Sequence, residues 1–264
     1  MKKTIILLLV LSAVFPALAQ DTTYFNFAWK TTTRDKAHYY RTVVKNDSGW
    51  QVTDHYMSGV IQMKAGYADD SFHISQGQFS YYDEKGEIQH FETYVKGKAE
   101  GPHVIYYPDG HTRVIGNYKN DKEEGEWLGY YPNGKLSGKA QYENGKQVSG
   151  KFYNEDGSRN KSMMVFMRES EYPGGASHYQ RFLYRTLKYP DSAVVHEIQG
   201  VVVIGFKISK EGKASDFTIG QSIDKYLDAE ALRVAKLMPD WEPAIVGGVF
   251  SESYKRQPLV FRLE

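Results

Sequence analysis

The chain has 264 residues, of which 33 are basic and 32 acidic, for a formal net charge of +1. That balance argues against nucleic acid or an anionic membrane surface as a partner of the chain as a whole. There is no cysteine, which excludes disulfides, a thiol nucleophile and a lipid-modified cysteine, and the 21 tyrosines are the compositional oddity.

Lys2-Lys3, an apolar run from Ile5 to Phe15 and then Ala17-Leu18-Ala19 have the three parts of an export signal. Residues 1–19 therefore read as a cleavable signal peptide, with the mature chain starting near Gln20 or Asp21 in the periplasm. The alternative is an uncleaved inner-membrane anchor facing the periplasm, but about 15 apolar residues fall short of the roughly 20 that a spanning helix needs. Residues 20–49 form an irregular lead-in, in which His38 to Val44 reads as a strand.

Residues 50–160 repeat. Gly77, Gly101 and Gly125 recur every 24 residues, as do Tyr82, Tyr106 and Tyr130, then Gly86, Gly110 and Gly134, and finally Tyr94, Tyr118 and Tyr142. Asp109-Gly110, Asn133-Gly134, Asp156-Gly157 and Asn144-Gly145 are dipeptides that suit hairpin turns. Each unit thus reads as two strands and two turns, and the array as a β-meander clad in aromatic rings. Residues 161–171 look like a junction containing one strand.

From 172 to 264 helix and strand signals alternate. Tyr179, Phe182, Leu183, Thr186 and Leu187 lie on one face of a helix that Tyr189-Pro190 ends. Val201 to Ile208 reads as a strand buried on nearly both faces, with a turn at Lys210-Glu211-Gly212-Lys213 and a returning strand from Ala214 to Ile219. Asp224 is placed to cap a second helix carrying Leu227, Ala231, Val234, Ala235 and Met238 on one side, and Pro239 stops it. After the turn Gly247-Gly248, Ser251 to Leu263 is a final extended segment. The fold class expected is α+β: an all-β repeat meander, then a small domain with a three-stranded antiparallel sheet and two main helices.

Catalytic and metal signatures do not assemble. His196-Glu197 lacks a second histidine at helical spacing, and Asp69-Asp70 and Asp83-Glu84 lack the ligand ladder of a calcium loop. No serine sits in a nucleophile elbow and no glycine-rich phosphate loop follows a strand. A non-enzyme without metal or cofactor is expected, and the repeat tyrosines, which could stack on cell-wall glycan, are the main alternative site.

The blocks Tyr172-Pro173-Gly174-Gly175, Leu187-Lys188-Tyr189-Pro190, Gln199-Gly200-Val201-Val202-Val203, Lys210-Glu211-Gly212-Lys213, Leu227 to Leu232, Met238 to Pro243 and Pro258 to Leu263 resemble, in order, the TonB C-terminal domain. The preceding array resembles MORN-like repeats. The resemblance implies capture of a short N-terminal peptide of an outer-membrane TonB-dependent receptor, added as a strand beside the last strand. It places the peptide site at Gln257, Pro258, Leu259, Val260, Phe261 and Arg262, with Tyr189 and Pro190 adjoining. Pro258 independently points to an edge, because a residue without N–H is tolerated in a sheet chiefly there. The same edge would also permit a homodimer by pairing of last strands. Literal energy transduction would need a retained inner-membrane helix and a long proline-rich spacer, against only nine scattered prolines.

Overall fold

A computed structural model describes residues 22–263. The expected signal peptide, residues 1–19, lies outside them. Strand predominates over helix among the described residues, which hold three α-helices. Twelve strands form one antiparallel sheet in which each pairs with its neighbours in sequence. They are β1 (Thr23–Phe25), β2 (Tyr39–Asn46), β3 (Gly49–Tyr56), β4 (Ile61–Tyr67), β5 (Gly77–Tyr82), β6 (Ile88–Val95), β7 (Lys98–Tyr106), β8 (Thr112–Lys119), β9 (Lys122–Tyr130), β10 (Leu136–Glu143), β11 (Lys146–Tyr153) and β12 (Arg159–Asn160).

The repeat explains this sheet locally. Gly110, Gly134 and Gly157 donate their N–H groups to Tyr107, Tyr131 and Asn154 to close one set of turns, at 2.8–2.9 Å. Gly134 has φ +78, a conformation that costs a residue with Cβ. Tyrosine then staples hairpin to hairpin: Tyr56, Tyr107 and Tyr131 donate their hydroxyls to the carbonyls of Tyr82, Tyr130 and Tyr153 at 2.7–2.9 Å. On one face a ladder of rings supplies the core. Phe79, His103 and Trp127 stand at equivalent repeat positions and pack edge-on or tilted against Tyr94, Tyr118 and Tyr142, with centroids 4.7–5.8 Å apart. Trp127 is fully buried and Phe79 and Tyr142 nearly so.

The lead-in departs from the expected boundary, since β1 and β2 already belong to the sheet. Their pairing rests on Trp29 stacked on Tyr39 at 4.4 Å and on Tyr40 stacked on His55 at 4.5 Å, contacts without a period to betray them. Across β2 and β3, Arg41 clamps the buried Asp54 with two hydrogen bonds of 2.7 and 2.8 Å.

The C-terminal half begins with β13 (Met167–Arg168), so the 161–171 junction does contain a short strand. It continues with α1 (Gly175–Thr186), α2 (Asp191–Val195), β14 (Gly200–Ile208), β15 (Ala214–Gln221), α3 (Lys225–Ala235), β16 (Ala244–Val246), β17 (Val249–Ser251) and β18 (Ser253–Phe261). These strands make two three-stranded sheets, ordered β13-β16-β17 and β15-β14-β18, where the sequence led to one. The single extended segment expected from Ser251 onward is divided between β17 and β18. The larger sheet buries Val202, Ile204, Phe206, Ile208, Leu259 and Phe261 against Leu227, Ala231, Val234 and Ala235 of α3. Tyr179, Phe182, Leu183 and Leu187 of the first helical stretch close the same core. Each such fully buried aliphatic or Phe side chain contributes roughly 1.5–3 kcal/mol. Asp224 caps α3 by accepting from Tyr226 N at 2.8 Å.

Among the contacts that join the halves, two depend on glycines that admit a close approach. The turn Gly247-Gly248, between β16 and β17, sits in a socket on the meander where Ser137 Oγ donates to Gly247 O at 2.7 Å. A Cβ on Gly129 would lie 2.5 Å from that carbonyl oxygen, so only glycine permits the approach. At the other end the Phe27 ring lies on the uncovered face of the larger sheet, against Gly205 and Gly220. Arg256 of β18 clasps it, donating to Phe27 O and Tyr39 Oη at 3.0 Å each, with its guanidinium 4.0 Å from the Phe27 ring centre.

Candidate functional site: the edge of the last strand

β18 pairs with β14 over nine consecutive positions, from Ser253 opposite Ile208 to Phe261 opposite Gly200. It is the outer member of its sheet, and among the described residues no strand lies along its other side. In an antiparallel ladder alternate residues turn their N–H and C=O groups to each neighbour, so half of the β18 backbone groups point away from β14.

The side chains of the strand divide by face. Leu259 and Phe261 turn into the helix-covered core and are 1% exposed each, so they offer a partner only their backbone. Pro258, Val260 and Arg262 are exposed and Gln257 is half-buried. Val203 stands opposite Pro258, and Pro258 does not interrupt the register. Tyr189, half-buried, sets its ring edge-on to Phe261 with centroids 5.8 Å apart and donates its hydroxyl to Ile198 O at 2.6 Å. It braces the end of β18 from the core side. Pro190 is the N-cap residue of α2, and its carbonyl accepts from Ala193 N and Val194 N at 2.9 and 3.1 Å.

Sequence reasoning missed the supports of this strand. Its root is held where Ser253 Oγ meets Ser170 Oγ at 2.8 Å and Lys255 Nζ meets Glu169 at 2.9 Å. Arg113 of the meander donates to Ser251 Oγ just before it. Beside the root lies a cleft of about 540 Å³ walled by Glu123, Arg168, Ile245 and Tyr254. Midway along, Arg256 carries the Phe27 clasp. The one legible trace of that clasp is the pair of glycines inside strands, Gly205 and Gly220, since glycine in a strand interior often marks close approach of another group.

Burial governs the titratable groups that stand near the meander core. Tyr56, beside Arg256, is pushed up to about 12, chiefly by burial. His103 is lowered to about 4, first by burial and then by neighbouring His90. Glu92 stands 3.8 Å from His103 Nδ1, too far for a hydrogen bond, and it already accepts from Tyr94 Oη, so it does not offset the burial. Among the described residues no group of three or more His, Cys, Asp or Glu side chains is placed to hold a metal. No helix among them is long and apolar enough to cross a membrane.

Comparison with known families places these features. Residues 185–263 match the family described as Gram-negative bacterial TonB protein C-terminal. Residues 99–120 and 123–144 match the MORN repeat variant. No curated protein matches. Among solved structures, accessory secretory protein 1,2 and 3 in Streptococcus pneumoniae is 11% identical, over 46% of this chain and 21% of that one, with a TM-score of 0.26. A GtfA/B complex bound to UDP and GlcNAc is 15% identical, over 43% and 25%, with a TM-score of 0.23. The chain thus spans a quarter or less of the length of these structures, and neither overlap defines a shared fold.

Proposed function

We propose that this chain, with its TonB-type C-terminal domain set behind MORN-type repeats, is a cell-envelope adaptor that captures an extended peptide along β18. The N-terminal segment of an outer-membrane TonB-dependent receptor is the partner that the family suggests. The role is binding rather than catalysis, and its place is the periplasm, reached through the export signal at residues 1–19. The observation that carries the reading is that β18 has one strand neighbour, with Pro258 and Val260 exposed beside the vacant side.

An open edge is a template for strand addition, in which backbone hydrogen bonds supply affinity and alternate side chains supply selectivity. Each such bond nets only about 0.5–1.5 kcal/mol, so a short added strand gives a contact that forms and breaks readily. The bracing of β18 at its root, by Arg256 and by Tyr189 keeps the strand in register before a partner arrives, which reduces the ordering cost of binding. Of the rings that the sequence offered for stacking on glycan, Tyr94, Tyr118 and Tyr142 pack into the meander core, whereas Tyr82, Tyr106 and Tyr130 are half-buried.

The chain lacks cysteine, so Val260→Cys provides a single thiol for crosslinking in cells. An adduct with the N-terminal segment of an outer-membrane receptor is expected. Adducts only with a second copy of this chain, or none with any polypeptide, would overturn the proposal.

A further inference from the structure

The far end of the twelve-stranded sheet has a second open edge. β11 pairs outward with β12 only at Phe152 and Tyr153, so Lys146 to Lys151, paired with β10 on their inner side, have no strand on their outer side among the described residues. Residues 161–166 run past that edge without backbone pairing to it. They are tied down by Gln147, whose Nε2 donates to Met164 O at 3.0 Å and whose Oε1 accepts from Phe166 N at 2.9 Å. The tether accounts for Phe166, fully buried, and for Met163, packed on the Val114 and Trp127 cluster. They close the aromatic ladder, as the last unit of a repeat array must be closed. Met164, between them, is 74% exposed and has no such role.

Met164 borders two clefts that share it with Asn160 and Met163. One, about 420 Å³, is walled by Val148, Phe152, Arg159 and Lys161. The other, about 510 Å³, is walled by Tyr131, Ile245, Phe250, Arg168 and Lys210. Neither cleft is lined by a single Asp or Glu, although the chain as a whole balances its charges. Arg168 is paired with Glu242 at 3.0 Å and Lys210 reaches Glu211 at 4.0 Å. Arg159 lies over the Tyr153 ring at 5.5 Å, and neither it nor Lys161 has an acidic partner among the described residues.

We propose that this end of the meander docks an acidic peptide segment, which seats apolar side chains beside Met164, Ile245 and Phe250 in the second cleft and sets carboxylates against Arg159 and Lys161 in the first. Methionine suits the apolar part, because its unbranched thioether adapts to side chains of different shape. The unpaired cations select the sign of the partner and steer its approach. Concave walls on both sides of Met164 receive side chains, whereas a bilayer surface would meet a convex patch. The site shares no residue with Gln257 to Arg262, and the proposal stands independently of peptide capture there.

Two fluorescent hexapeptides, Asp-Leu-Glu-Leu-Asp-Leu and Lys-Leu-Lys-Leu-Lys-Leu, titrated into the full chain and followed by anisotropy, test it. The acidic probe should bind more tightly, and added salt should weaken it. Met164→Glu should weaken it by about tenfold and Lys161→Glu by about threefold. Both positions are exposed, and Met164→Ser serves if the glutamate variant fails to fold. Val260→Asp should leave probe binding unchanged. Equal binding of the basic probe, indifference to both Met164 variants, or loss with Val260→Asp would each overturn the proposal. So would phosphatidylglycerol vesicles binding through Met164 while neither peptide does, or self-association that Met164→Glu abolishes.

Discussion

The meander and the C-terminal sheet bury their residues by opposite means. In the meander every strand pairs with its sequence neighbours, and the core is built from the rings of Phe79, Tyr94, His103, Tyr118, Trp127 and Tyr142 interleaved with small aliphatic residues such as Val52 and Val114. In the C-terminal sheet β14 is paired by β18, which returns after α3 and two further strands, over a core under helices that mixes aliphatic side chains with Tyr172, Phe206, Trp241 and Phe261. The first arrangement is extended by adding copies. The second is finished by one long-range closure, and the strand that performs the closure is left with a vacant side. The open edge is thus a product of topology, and the meander's contribution is to hold that strand through Gly247, Ser251 and Arg256.

If the halves are fastened by the Gly247 turn, filling its socket should separate them. Gly129→Val puts a side chain where the Gly247 backbone now lies, and the largest effect is expected here. The turn should be expelled, and urea unfolding followed by tryptophan fluorescence should split from one transition into two. A single unshifted transition would show that the contact fastens nothing. Within the meander alone, Arg41→Ala strands the buried Asp54 without its partner. A loss of about 3 kcal/mol is expected by equilibrium unfolding, most of it from the uncompensated carboxylate.

Acid should weaken the meander core before it weakens the C-terminal one. Burial lowers His103 from 6.5 to about 4, so between those values the unfolded chain holds a proton that the folded chain does not. Stability therefore falls as pH falls through this window, by roughly 1–2 kcal/mol between pH 7 and 5. His103→Phe copies Phe79 at the same repeat position and should flatten most of that slope. His90, lowered by burial in the same ladder, supplies what remains. The smallest effect belongs to the C-terminal half: Asp224→Ala removes the cap of α3 and should cost about 1 kcal/mol, read as a shifted urea midpoint.

The same contrast explains what could be read from the amino acids. The 24-residue period gave the meander, because each unit's turns and rings are set by nearby residues. The helices were legible from Phe182, Leu183, Leu227 and Val234 at helical spacing and from the Asp224 cap. What escaped was long-range: the β13-β16-β17 sheet, the division at Glu252, the Gly247 socket and the Phe27 clasp. Gly129 and Gly138, where an added Cβ would lie 2.5 and 2.9 Å from Gly247 O, fall inside strands at positions the turns do not require, and that was the available signal. At the candidate site the strand and its edge were legible through Pro258. The burial of Leu259 and Phe261 follows from alternation, but which of the two faces lies under the helices is set by packing from elsewhere in the chain.

Amide hydrogen exchange along β18 in the full, unliganded chain addresses the vacant edge most directly, since it reads each N–H separately. Between Tyr254 and Phe261 we expect alternation, with amides turned toward β14 slow and those turned away fast, Pro258 having none. Uniformly slow exchange across the strand would mean that its outer side is already occupied, and would contradict the capture of a partner there.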